Sequence, residues 1–201
     1  MSASPESALP PVPAGIHPWV AGWQDRVGFG VSIFPQPPDW QRFIQLVQRM
    51  EELGVDSYWS YDHPAAHADC WTALSALAVS TEKIRLGTMV DCIYYRSPYL
   101  LARQAADVDR ASGGRLVLGL GIGRLAEEFD VMGLRYPPTA ERQEALEETF
   151  AILRGLWSAK KFSYQGKSFS ASSPGPWGHF LPPVQEPYVP FLLAGGGEKT
   201  T

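Results

Sequence analysis

Between Arg115 and Phe129 the chain reads Arg-Leu-Val-Leu-Gly-Leu-Gly-Ile-Gly-Arg-Leu-Ala-Glu-Glu-Phe, then reaches Met132-Gly133. No other stretch limits the fold so tightly. The apolar and small residues after Arg115 predict a strand buried on both faces. Gly119, Gly121 and Gly123 fall where that strand ends and the chain turns. Glycine there permits positive φ and lets backbone N–H groups come close to a ligand. Ala126, Glu127, Glu128 and Phe129 then read as the first turn of a helix, with acids where the helix dipole favours them. Strand, glycine turn and helix start make a ligand-binding corner.

Two architectures offer such a corner. The residues from Gly121 to Ala126 formally fit the G-x-G-x-x-G/A dinucleotide fingerprint. That reading also wants an acid about 20 residues on, at the end of the next strand. The residues in that window, Glu141 among them, fall in a helical pattern instead. The corner also lies behind earlier strand–helix units, so it reads better as one turn in a series.

Taken in order, the chain supports the series. Residues 1–26, rich in Pro, Ala and Ser, are expected to be a flexible leader, with 27–201 as the folded part of a barrel domain. Residues 27–34 predict a first strand, stopped by Pro35, Pro37 and Pro38. Asp39 caps a helix whose Trp40, Phe43, Ile44, Val47 and Met50 recur at helical spacing, with Gly54 beyond its end. Residues 56–61 predict a second strand, followed at once by Asp62-His63-Pro64. Asp69 caps the next helix, with Trp71, Leu74, Leu77 and Ala78 on one face. Residues 84–90 predict a third strand running into Asp91 and Cys92. Ser97-Pro98 opens a helix carrying Leu101, Ala105 and Val108. The glycine corner supplies the fourth strand. Residues 140–157 form a further amphipathic helix, 163–187 a Gly/Pro/Ser-rich excursion, and 189–194 a fifth strand before Gly195-Gly196-Gly197-Glu198-Lys199.

Strands alternating with helices over short links predict an α/β fold with a parallel sheet. Polar or glycine turns at the strand ends favour a (β/α)8 TIM-barrel type, here reaching about five βα units, over a doubly wound sheet. In such barrels the chemistry sits at the C-terminal ends of the strands, where this sequence places Asp62-His63, Met89 to Cys92, Gly121 to Gly123 and Gly195 to Lys199.

Composition narrows the partners. The 201 residues are 45% apolar with a formal charge of -4 and a pI near 5.6, so there is no basic footprint for nucleic acid or anionic membrane. No apolar run approaches the ~18 residues of a membrane span, and the start lacks the pattern of a secretory signal. Cys70 and Cys92 have neither disulfide nor metal spacing, and a reducing cytoplasmic setting is expected. His17, His67 and His179 are scattered, so no metal is assigned. Standing alone, His63 reads equally as a loop histidine bonded to a carbonyl, and Cys92 as a small packing residue.

The strand-end residues resemble one family. Asp-His after the second strand, Leu-Gly-Thr ending the third, Ser-Gly-Gly-Arg before the fourth, the Gly-x-Gly-x-Gly turn and Ala-Gly-Gly-Gly-Glu-Lys after the fifth are similar to those of the bacterial-luciferase-like oxidoreductases. Trp71, Tyr95-Arg96-Ser97-Pro98, Gln185 and Pro187 match as well, so the resemblance covers about residues 27–200 in order. The Gly-Gly-Gly-Glu-Lys-Thr ending looks most like a branch using the deazaflavin coenzyme F420, which is favoured over FMN. The resemblance implies a cofactor lying across the strand ends and acting by hydride transfer or monooxygenation on a small organic substrate. It places Asp62 and His63 against the cofactor ring, with Asp62 binding the cofactor and His63 the catalytic proton donor or substrate-side acid/base. Met89 and Val90 fall at a bulge with a non-prolyl cis peptide against the ring, with Cys92 at a position often held by Thr. Ile122 and Gly123 match backbone contacts to the cofactor. Glu127 stands where some members place a cofactor-binding Asn, and Gly195, Gly196, Glu198 and Lys199 match the loop at the cofactor's tail. Arg124 stands where the sugar-phosphate dehydrogenases of the group carry an acidic base. A homodimer is a family expectation.

Two rival readings stay open. One is a truncated or split family member that binds cofactor or a partner subunit without turnover. The other is an unrelated barrel enzyme such as an aldolase, which would want a strand-end lysine that strands one to four lack. Five strands also leave two open sheet edges. With each exposed large apolar group forfeiting about 1.5–3 kcal/mol, exposure of Leu118, Leu120, Leu192 and Leu193 is expected to make the isolated chain marginal or aggregation-prone.

Overall fold

The computed structural model describes residues 16–23, 25–33, 39–158, 160–174 and 181–195. Its elements run α1 (Pro18–Ala21), β1 (Gly30–Val31), α2 (Trp40–Glu52), β2 (Ser57–Ser60), α3 (Cys70–Ser80), β3 (Arg85–Thr88) and β4 (Asp91–Cys92). They continue through α4 (Pro98–Ala111), β5 (Leu116–Gly121), α5 (Ala126–Val131), α6 (Thr139–Trp157), the hairpin β6 (Ser163–Gln165) and β7 (Ser170–Ser172), and β8 (Phe191–Leu193). The helices start where the sequence places their caps. The Asp39 carboxylate accepts from the Arg42 N–H at 2.8 Å, Asp69 from Thr72 at 2.8 Å, and the Ser97 hydroxyl from Leu100 at 3.3 Å. Each satisfies a donor that the first helical turn leaves orphaned.

The main sheet is an all-parallel arc in which β1 pairs with β2, β2 with β3, β3 with β5 and β5 with β8. β3 and β4 are one barrel strand broken in the middle. β5 pairs with Leu86 and Gly87 at its start, then with Asp91 and Cys92 at its end. Between them the Met89–Val90 peptide is cis. This is the arc of a (β/α)8 barrel through its first five βα units.

Alternation along the strands divides the two faces. Tyr58, Leu86, Leu116, Leu118 and Leu120 point outward and are fully buried against the helices. The inward positions are glycines at Gly30, Gly87, Gly119 and Gly121, with Val117 and one large side chain, Trp59, between them. The Trp59 indole fills the space that a side chain on Gly30 or Gly87 would take. The expected exposure of Leu118 and Leu120 is therefore corrected. Both are outward-facing, and the open side of the arc is lined by glycine backbone under one indole. Leu192 is half-buried and Leu193 is 48% exposed at the β8 edge.

Three further expectations change. The first strand shrinks from 27–34 to two residues, because β1 is an edge; Val27 and Phe29 are exposed, and residue 34 lies outside the described residues. The excursion contains a hairpin, seated by the Glu148 carboxylate, which accepts the N–H groups of Lys167, Ser168 and Phe169. Part of the expected leader is seated as well. His17 Nε2 lies 2.9 Å from the Tyr188 carbonyl, and the Arg85 guanidinium packs over Trp19 at 4.8 Å. Among the described residues no helix is long and apolar enough to cross a membrane.

Candidate active site

The C-terminal ends of β2 to β5 and β8 enclose a cavity of about 520 Å³, within the range that small ligands and cofactors occupy. Its wall is built from the break in the third barrel strand. Val90 leans onto β5, where a Cβ on Gly121 would stand 2.6 Å from Val90 Cγ2 and one on Gly119 3.0 Å from Cγ1. These two glycines therefore serve the seat of the bulge. Positive φ is confined to the third, Gly123, at +77°. A Cβ there would also press on Phe129 at 2.7 Å and on Cys92 Sγ at 3.0 Å.

Behind the wall, one guanidinium gathers three carboxylates. Arg96 Nη1 donates to Asp62 at 2.8 Å and to Asp91 at 3.2 Å, and Nη2 to Asp69 at 2.6 Å. Asp62 also accepts the Cys92 N–H at 3.2 Å and the Cys70 thiol at 3.4 Å. Asp91, fully buried, accepts from Trp71 Nε1 at 2.5 Å. Burial, and then the negative charge of Asp62, hold the Asp91 carboxyl well above its usual range against the pull of Arg96. The Arg96 guanidinium is raised as well: burial favours losing its proton, but Asp91 and Asp62 overcome that. Asp62, Cys70 and Asp91 offer atoms within 4.8 Å of one another. The cation in that cluster is Arg96, and burial, followed by the charge of Asp62, raises the Cys70 thiol above its usual range. Burial likewise pushes Cys92 up to about 12, so its thiol stays protonated and acts as wall.

At the mouth, His63 Nδ1 lies 2.7 Å from Glu128 Oε1, while Glu128 Oε2 accepts the Tyr95 hydroxyl at 2.7 Å. The His63 side chain is 38% exposed and that of Glu128 9%. Nδ1 is thus committed inward, and Nε2 has no hydrogen-bond partner among the described residues. Burial, followed by the bond to Glu128, raises the Tyr95 phenol far above its usual value, so it remains a donor.

Asp62, His63, Met89, Val90, Cys92, Ile122, Gly123 and Gly195 all line this cavity. Glu127 does not: it is exposed on α5, and the acid at the cavity is its neighbour Glu128. Gly196, Glu198 and Lys199 lie outside the described residues. Glu128, Tyr95 and the Arg96 hub were missed as site residues. Helical spacing held a signal for the first: Glu128 follows Leu125 by three residues and precedes buried Phe129, which places it on the sheet-facing side. Arg96 has one partner close in sequence, Asp91 five residues before it, but Asp62 is 34 residues away.

The family model for luciferase-like monooxygenases matches residues 21–201. Among curated proteins, the F420-dependent glucose-6-phosphate dehydrogenase of Amycolatopsis mediterranei is 29% identical over 180 residues, covering 86% of this chain and 52% of that protein. The coenzyme F420-dependent tetrahydromethanopterin reductase of Methanopyrus kandleri superposes with a TM-score of 0.73 at 26% identity, over 87% of this chain and 52% of that one. A type II Baeyer–Villiger monooxygenase from Pseudomonas putida, solved with FMN, shares the fold with a TM-score of 0.73 at 18% identity, over 86% and 52%. The chain spans about half the length of these proteins.

Proposed function

The chain belongs to the luciferase-like monooxygenase family, and on that premise we propose that its strand-end cavity holds coenzyme F420 or FMN beside a small organic substrate. The residues fit such a group. The lining combines glycine backbone at Gly121 and Gly123 with apolar Met89, Val90 and Ile122, and its polar groups include His63, Glu128 and Tyr95. When bound, a deazaflavin supplies a hydride-transfer centre, and reduced FMN supplies hydride transfer or oxygen activation.

The observation that carries the reading is the His63–Glu128 contact of 2.7 Å on the cavity wall. Glu128 accepts from Tyr95 on one oxygen and from His63 Nδ1–H on the other, which leaves Nε2 to give or take a proton at the substrate. An imidazole so oriented is suited to acid/base work near neutral pH. Asp62 lines the cavity as well. Held by Arg96, it ties the end of β2 to the Cys92 backbone and keeps His63 against the wall.

Titration of the purified chain with coenzyme F420 and, separately, with FMN, read by tryptophan fluorescence, tests the reading. Saturable quenching by one of them identifies the cofactor. A chain that is folded by circular dichroism yet binds neither refutes it. Because the chain spans about half the length of its relatives, a second reading is binding without turnover. A chain that binds cofactor, yet whose bound cofactor never reacts with any of a panel of alcohols, aldehydes and ketones, favours that one.

A further inference from the structure

The acids of the cavity are both engaged, Asp62 by Arg96 and Glu128 by His63 and Tyr95. Arg124 is different. It lines the mouth and is exposed, and among the described residues no hydrogen bond or ion pair engages its guanidinium. The backbone beneath it is braced from outside the cavity. Arg142 Nη1 donates to the Ile122 carbonyl at 3.2 Å and, in a shorter contact, to the Gly123 carbonyl. Arg142 is itself held over the Tyr136 ring at 4.3 Å, and the Tyr136 hydroxyl donates to the Arg124 carbonyl at 3.2 Å.

This clamp has a geometric consequence. In a trans peptide the N–H points opposite to the C=O. The carbonyls of Ile122 and Gly123 both turn to Arg142, so the N–H groups of Gly123 and Arg124 point away from it, toward the cavity that these residues line. Neither N–H has a partner among the described residues. Successive N–H groups turned to one side around a positive-φ glycine form a concavity that binds oxyanions, here with a free guanidinium beside it. Arginine forks match the geometry of carboxylate and phosphate.

We propose that Gly123 N–H, Arg124 N–H and the Arg124 guanidinium receive an oxyanion carried by the substrate, so that the enzyme acts on organic anions bearing a carboxylate or phosphate group. The site and His63 line the same cavity; because it would take a substrate beside a cofactor held there, the proposal rests on the oxidoreductase reading.

The test uses the whole chain labelled with nitrogen-15. Inorganic phosphate is titrated at constant ionic strength against chloride, with and without saturating cofactor, in the native chain and in Arg124→Gln. The expected result is a saturable shift of the Gly123 and Arg124 amides, weakened tenfold or more in Arg124→Gln. It persists with cofactor bound, and cofactor affinity changes less than about threefold. No saturable shift, or a shift undiminished in Arg124→Gln, overturns the site. Competition between phosphate and cofactor, with cofactor binding weakened by the substitution, assigns the donors to the cofactor and overturns the substrate assignment. If neither cofactor binds while the Arg124-dependent shifts remain, the oxidoreductase reading falls and the anion site stands.

Discussion

Thr88 and Gly119 are joined twice: the Thr88 hydroxyl donates to the Gly119 carbonyl at 2.7 Å and accepts from the Gly119 N–H at 2.9 Å. One side chain thereby stands in for a rung of the β3–β5 ladder just where the third barrel strand breaks. Thr88→Val keeps the shape and strands two buried backbone groups. Leaving a buried donor or acceptor unpaired costs about 1–3 kcal/mol, and urea unfolding is expected to show a loss in that range. A loss below about 0.5 kcal/mol would mean that the break is held elsewhere.

The seat of Val90 predicts a coupled pair. Gly121→Ala puts a Cβ 2.6 Å from Val90 Cγ2, and such overpacking typically costs about 1–3 kcal/mol. Val90→Ala in the same chain removes the obstructing methyl groups, so the double variant is expected to be more stable than the two single losses added together. The coupling should fall between about 0.5 and 3 kcal/mol. Strict additivity in a double-mutant cycle would show that the two residues do not constrain each other.

Asp91 sets a pH dependence. Its folded pKa is raised, mainly by burial and then by Asp62, above an unfolded value of about 3.9. The folded state therefore holds this proton more tightly than the unfolded state. The stability contribution is full below the unfolded pKa and is lost as pH rises toward the folded one. Asp91→Asn carries no charge at any pH. The stability of the native chain relative to Asp91→Asn is expected to fall from about pH 4 upward, by at most about 1.4 kcal/mol per pH unit. A difference that stays flat across the series would show that Asp91 is ionised and paired with Arg96.

Glu128 and His63 are separable by spectroscopy. In the native chain the nitrogen-15 shifts of the imidazole are expected to show the proton on Nδ1. Glu128→Leu removes the acceptor, and the ring should become a mixture of tautomers. The same change leaves Tyr95 and His63 without a partner and should lower stability by about 1–3 kcal/mol. With a reactive substrate in hand, His63→Ala is expected to slow the proton-transfer step by about a hundredfold or more. An unchanged tautomer in Glu128→Leu would remove Glu128 from the orienting role.

Much of the fold was legible because its signals are local. Asp39, Asp69 and Ser97 cap the helices they precede, and the leucines of β5 alternate with glycines as an inward and an outward face require. Asp62 and His63 were found at a strand end because the strand before them and the proline after them bound the turn. Glu127 was matched by its position in relatives, whereas Glu128 lines the cavity because it lies on the buried side of α5.

By itself, then, the sequence determined the order of the main strands and helices, the caps of α2, α3 and α4 and the strand ends where chemistry gathers. Periodicity and turn chemistry act between residues close in the chain. The tertiary structure alone decided which charges meet. Arg96 reaches Asp62 across 34 residues, Glu128 reaches His63 across 65, and Arg142 reaches the Gly123 carbonyl across 19. Pairing at such separations is set by packing, because a buried charge takes whichever partner the fold brings within reach.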